Sequence, residues 1–153
     1  MIEHIKNDRE FVREIHRVLK PGGKLLATTP NRLMSLTRNP WHIREYTSGE
    51  LKNLLMQYFS SVEIMGVYGN QKIMEYHERN KAAVKKITRY DVLQLQYRLP
   101  RQLLQIPYDL LNRMNRRRLL SDNTFLVNQV STADYHLDEA SDTSFDLFAI
   151  AIK

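Results

Sequence analysis

Apolar positions along the chain change period several times, and each change marks an element. Behind Asp8, a candidate N-cap, Phe11, Val12, Ile15, Val18 and Leu19 recur at helical spacing. The pattern predicts an amphipathic helix over Asp8–Leu19. Pro21 stops it, and Gly22-Gly23 supplies the backbone freedom for a sharp turn. Lys24–Thr29 is then a short, nearly unbroken apolar run, the pattern of a strand covered on both faces. A polar connection follows from Asn31 to Tyr46. Thr47 with Glu50 three residues on has the spacing of a capping box, and Leu51, Leu54, Leu55, Tyr58 and Phe59 form the helical stripe behind it. Val62–Val67 reads as a strand. Two helical stretches come next, Lys72–Arg98 and Pro100–Leu119, separated at Pro100. Phe145–Ile152 closes the chain as an apolar, partly β-branched strand.

Helix, strand, helix, strand, helical segment, strand is the order of an α/β layered domain. The expected sheet has three strands in spatial order first, third, second, with Phe145–Ile152 running antiparallel beside Val62–Val67 and helical layers on both faces. A length of 153 residues fits one such domain, with residues 70–143 as a helical insertion or lid within it.

Composition narrows the chemistry. There is no cysteine, which removes disulfides, thiolate metal sites and cysteine nucleophiles together and suits a cytoplasmic protein. No apolar run approaches the roughly 18 residues of a membrane span. The net charge of +6 is unevenly spread. Between Lys72 and Leu120, 12 basic residues face 4 acidic ones, a local +8 against −2 for the remainder. Such a segment is either a solvated helical face or a surface for phosphates or anionic headgroups, which would make the protein peripheral at a membrane. No His-x-x-x-His pair or paired-carboxylate motif points to a metal or hydrolytic site, so no metal is expected.

Several segments together resemble one family. Glu3-His4-Ile5, the turn Leu19-Lys20-Pro21-Gly22-Gly23, the exit Thr29-Pro30-Asn31, the run Asn39-Pro40-Trp41-His42-Ile43-Arg44-Glu45-Tyr46, and the closing Asp146–Lys153 occur in the order and spacing of class I S-adenosylmethionine (SAM) dependent methyltransferases. The resemblance is to that family's C-terminal portion. It implies a partial Rossmann-like sheet, its fifth to seventh strands, with the helical insertion before the last.

The resemblance also implies SAM as cofactor and methyl transfer to a small-molecule, glycan or lipid-linked acceptor. Nucleic acid is not among the expected partners. The alternative is a non-catalytic remnant or a binding module that completes a partner chain. Only twelve residues precede Arg13, and none of Gly22, Gly23, Gly49, Gly66 and Gly69 forms a Gly-x-Gly turn between strand and helix. The family's N-terminal SAM-binding half is therefore expected to be missing, with weak or no SAM binding by this chain alone. An unpaired strand Lys24–Thr29 would then favour self-association or pairing with an N-terminal fragment.

In open α/β sheets ligands bind beyond the carboxyl ends of the strands. Glu3-His4, Thr29–Asn31 and His42–Tyr46 are expected to meet there. His4 and His42 are the candidate bases for an oxygen nucleophile, the alternatives being local hydrogen bonding for His4 and packing against Trp41 for His42. Glu3 and His4 are the expected cofactor contacts. Pro30, Asn31, His42, Arg44, Glu45 and Tyr46 are expected to contact the acceptor. Arg116, Arg117 and Arg118 are expected to meet its anionic part.

Overall fold

The computed structural model describes residues 1–89, 95–122 and 130–153, and the side chains at 87, 95, 96 and 118–122 lie outside the description. The chain divides into two compact units: residues 1–35, 42–68 and 136–153 form the first, residues 36–41 and 69–135 the second.

The first unit is built on a sheet. Helix α1 (Asp8–Val18) is capped by Asn7, whose side chain accepts from the Glu10 N–H, so Asp8 is its first residue and not the cap. Its C-terminal turn contains Gly22 at φ 74°, a left-handed conformation that glycine adopts without steric cost. Strand β1 (Lys24–Pro30) follows. Helix α2 (Ser48–Leu55) starts in the expected capping box of Thr47 and Glu50, and strand β2 (Ser61–Gly69) comes next. A short strand β3 (Tyr135–Glu139) and the final β4 (Asp146–Ile152) complete a four-stranded sheet of order β1-β4-β2-β3.

Strand β4 is antiparallel to both neighbours, with Ala149 opposite Ala27 on one side and Ile64 on the other. The expected first, third, second order is therefore present, with β3 added outside β2. Gly66 is where β2 approaches the turn before β4: a Cβ there would lie 2.6 Å from the Ser144 Cβ.

Leu147, Ala149 and Ala151 point to one face of the sheet and share a core with Val12, Leu51, Leu54, Leu55 and Phe59. Burying each large aliphatic side chain contributes about 1.5–3 kcal/mol. The opposite face differs from the expectation. In the register Leu26 lies beside Ile150, and Thr28 beside Phe148, on that face. Leu26 is 61% exposed. The apolar run of β1 alternates in burial along its length. Helices α1 and α2 both pack into the core on the Leu147–Ala151 face, so the first unit has one helical layer and not two.

The second unit is helical: α3 (Gln71–Thr88), α4 (Leu95–Arg98) and α5 (Arg101–Asp122). The expected continuous helix Lys72–Arg98 ends at Thr88 as α3, and residues 90–94 lie outside the described residues. Asn70 caps α3 by accepting from the Lys72 and Ile73 N–H groups. Asn115 on α5 donates to Asn80 on α3 at 3.0 Å. Helix α5 runs through Pro107, which has no N–H to give to the preceding turn. Among the described residues no helix is long and apolar enough to cross a membrane.

Candidate functional site

The three segments expected to converge do so at the carboxyl end of β1. A single 3-10 turn, Ile2–His4, places Glu3 against it. The Ile43 and Arg44 N–H groups both donate to the Glu3 carbonyl, at 2.6 and 3.2 Å. Arg32 N–H donates to the Tyr46 carbonyl at 2.9 Å, and Asn31 bridges Tyr46 in parallel sense. Backbone bonds thus hold the Glu3-His4 and His42–Tyr46 segments together although 38 positions separate His4 from His42. Strand β4 begins at the same end, with Asp146 opposite both Pro30 and Val67.

Four ionisable side chains form the centre. Glu3 is buried, and its Oε2 accepts from the Thr29 hydroxyl at 3.1 Å and from the Met1 ammonium at 2.6 Å. Burial pushes the Glu3 carboxyl up, but hydrogen bonds from the ammonium, its own backbone and Thr29 outweigh that and hold it below its ordinary range. Its Oε1 lies 3.5 Å from His4 Nε2. The His4 and His42 rings meet edge to face, centroids 4.9 Å apart. His42 Nδ1 is 2.5 Å from Glu45 Oε1, and Glu45 Oε2 accepts from the Ser35 hydroxyl. An ionised carboxylate only accepts, so with Glu45 ionised the bond requires the proton on Nδ1. One ligand atom from each of Glu3, His4 and His42 lies within 4.8 Å of the others. The expected convergence of the segments brings the two histidines together, although no metal-ligand spacing along the sequence marked them as a set.

The surrounding residues hold this centre in place. Asp8 Oδ2 accepts from the Tyr46 hydroxyl at 2.8 Å and from Arg44 Nη1 at 3.2 Å. The Arg44 guanidinium also lies 5.0 Å from the Tyr46 ring centroid. Burial, reinforced by Asp8, pushes the Tyr46 phenol well above its usual value, so it stays a hydrogen-bond donor. Arg44 and Tyr46 therefore anchor the segment to α1.

Asn31 is 2% exposed, and its amide is used internally: it donates to the Ser144 carbonyl at 2.9 Å and to Ser141 at 3.1 Å, and accepts from the Leu33 N–H. Pro30 sits within β1. Arg116 and Arg117 lie exposed on α5 in the other unit, and the Arg118 side chain lies outside the described residues.

Sequence reasoning missed Asp8 as an anchor, and it missed Asp146. Burial first, then the charge of Glu3, raises the Asp146 carboxyl above its ordinary value. A polar residue opening an apolar strand is the only signal it leaves in the sequence.

Ligands of open α/β sheets bind at this end, and an acid with two histidines there marks a candidate ligand site. The chain also resembles known proteins. A family model described as a methyltransferase domain matches residues 1–27. Over its full length the chain is 31% identical to a "probable S-adenosylmethionine-dependent methyltransferase" of Mycolicibacterium smegmatis, of which it covers 55%. Two proteins with the same description, from two strains of Mycobacterium tuberculosis, are 28% identical over the whole chain, which covers 52% of each. The chain thus spans about half the length of the curated relatives it matches. No solved structure gives a significant match. The chain is thus similar to proteins described as SAM-dependent methyltransferases, as the sequence resemblance implied.

The glycines described here do not form a cradle for SAM. A Cβ on Gly66 would strike Ser144 and Tyr68, and one on Gly69 would strike Ile73, so the space those glycines leave is filled by the protein itself. Gly22 and Gly49 have nothing within 4 Å of a Cβ position. No step is therefore assigned to SAM through these residues.

Proposed function

We propose that this chain forms the acceptor-handling part of a SAM-dependent methyltransferase acting on an oxygen of a small-molecule, glycan or lipid-linked acceptor. The observation that carries the proposal is the His42–Glu45 pair, set beside Glu3 and His4 at the carboxyl end of β1. Methyl transfer needs the nucleophile aligned and relieved of its proton, and a carboxylate-oriented imidazole supplies the second. Glu45 fixes the tautomer, His42 Nε2 takes the acceptor proton, and His4 borders the same space. Arg44 and Tyr46 keep the segment against α1 while the acceptor enters. SAM supplies the methyl group and its own leaving group when bound.

The second unit suits a lipid-linked acceptor. Leu103, Ile106, Leu110 and Met114 on α5 are 64%, 80%, 59% and 59% exposed. They share the helix with Arg113, Arg116 and Arg117. An exposed apolar stripe with arginines beside it matches the chemistry of an anionic membrane surface.

A second reading has its own support: the filled glycine positions fit a non-catalytic α/β module that completes a partner chain. Labelled SAM separates the two. The full-length protein is incubated with methyl-labelled SAM and with cell extract, which is then fractionated into lipid, glycan and small-molecule pools. The methyltransferase reading expects label in one pool above the enzyme-free blank. No label in any pool would leave the module reading standing.

A further inference from the structure

We infer that Glu3, His4 and His42 form a binding site for a divalent first-row transition-metal ion, such as Mn²⁺, Fe²⁺, Co²⁺ or Zn²⁺. Two imidazoles and one carboxylate are a ligand set that leaves further coordination positions open. The ligand atoms already lie within 4.8 Å of one another. Ligands bound at about 2.0–2.2 Å sit roughly 3–3.5 Å apart, so the Glu3–His4 pair at 3.5 Å is already near that spacing and the widest pair must draw in by at most about 1.5 Å. The side chain able to move is His4, which is 49% exposed, while Glu3 is only 10% exposed. Two imidazoles argue against Mg²⁺ and Ca²⁺, which prefer oxygen ligands throughout.

The surroundings have the form of a metal site. His42 Nδ1 is held by Glu45, which is itself held by Ser35. A carboxylate behind a ligating imidazole fixes the ring and directs Nε2 to the ion. The Glu3 carboxylate divides its oxygens: Oε2 takes Thr29 and the Met1 ammonium, and Oε1 faces His4. The backbone bonds from Ile43 and Arg44 to the Glu3 carbonyl fix the two ligand-bearing segments to each other. Two carboxylates, Glu3 and Glu45, lie directly against the two imidazoles, while Arg44 is turned away to Asp8.

The inference goes beyond the methyl-transfer reading and does not rest on it. Base and ligand are alternative uses of the same nitrogens. With an ion bound, the two histidines are ligands, and the ion polarises an oxygen placed in an open position.

The test is a titration of the tag-free chain with Co²⁺, without SAM or acceptor, followed by visible d–d absorption and calorimetry. The expected result is one equivalent bound, at least tenfold weaker binding in His4→Ala and in His42→Ala, and about 10–100-fold weaker binding in Glu45→Gln. Circular dichroism of each metal-free variant reports folding. Should His42→Ala unfold, His4→Ala at the exposed ligand decides. No absorption band up to millimolar Co²⁺ overturns the inference, as does undiminished binding by a folded His4→Ala. Either failure leaves the methyl-transfer reading untouched, because no methyl donor is present.

Discussion

Tyr46→Phe removes one oxygen atom and isolates the bond that ties the His42–Tyr46 segment to α1. The ring is fully buried and stays buried in the variant. What is lost is the 2.8 Å hydrogen bond to Asp8, a carboxylate that keeps Arg44 at 3.2 Å and whose side chain is 15% exposed. A hydrogen bond to a charged group contributes about 1.5–3 kcal/mol. In a chain of this length 1 kcal/mol shifts Tm by roughly 2–4 °C, so a fall of about 3–12 °C is expected at neutral pH. Differential scanning calorimetry of the wild type, Tyr46→Phe, Asp8→Ala and the double variant reads it directly. The cycle should return a coupling of about 1.5–3 kcal/mol between the two positions. A Tm within 1 °C of wild type, or strictly additive single effects, would refute the claim that this bond anchors the segment.

Other outcomes follow from the same structure. Asp146 has a raised folded-state pKa, so its contribution to stability is full below about 3.8, its ordinary value, and is lost as pH rises through the folded value. Asp146→Asn should therefore raise Tm at pH 7 and match wild type below that ordinary value; a gain that does not depend on pH would contradict the assignment. Strand β1 is a sheet edge carrying the exposed Leu26, so light scattering should find concentration-dependent self-association that Leu26→Lys reduces, and a wild-type monomer at all concentrations would argue against it. Arg116→Ala with Arg117→Ala should cut co-sedimentation with anionic vesicles and leave neutral vesicles unaffected; equal sedimentation throughout would make α5 a plain solvated helix.

Local signals carried most of the fold. The capping box at Thr47 and the glycine turn before β1 were legible because each is set by residues within a few positions of one another. The pairing of β4 between β1 and β2 was legible from its apolar run and from the family resemblance. Strand β3 was not, because Tyr135–Glu139 is only five residues long and exposed along its whole length, so no buried face marks it. The one-sided burial of β1 was hidden by Leu26, an apolar residue on the exposed face. At the site, His42 and Glu3-His4 could be named from the sequence, but their assembly with Glu45 depends on the backbone bonds to the Glu3 carbonyl, which no spacing rule anticipates. Asn31 illustrates the reverse: a residue at a motif position whose amide is spent on holding the turn before β4.

The central claim is that the Glu3, His4, His42 and Glu45 cluster handles the methyl acceptor. The most direct measurement is steady-state methyl transfer by the full-length protein, comparing wild type with His42→Ala and Glu45→Gln at saturating SAM. The account predicts that kcat falls by about 10²–10⁴-fold in His42→Ala. It predicts a smaller fall in Glu45→Gln, with melting temperatures close to wild type. Unchanged kcat and KM in a folded His42→Ala would contradict it.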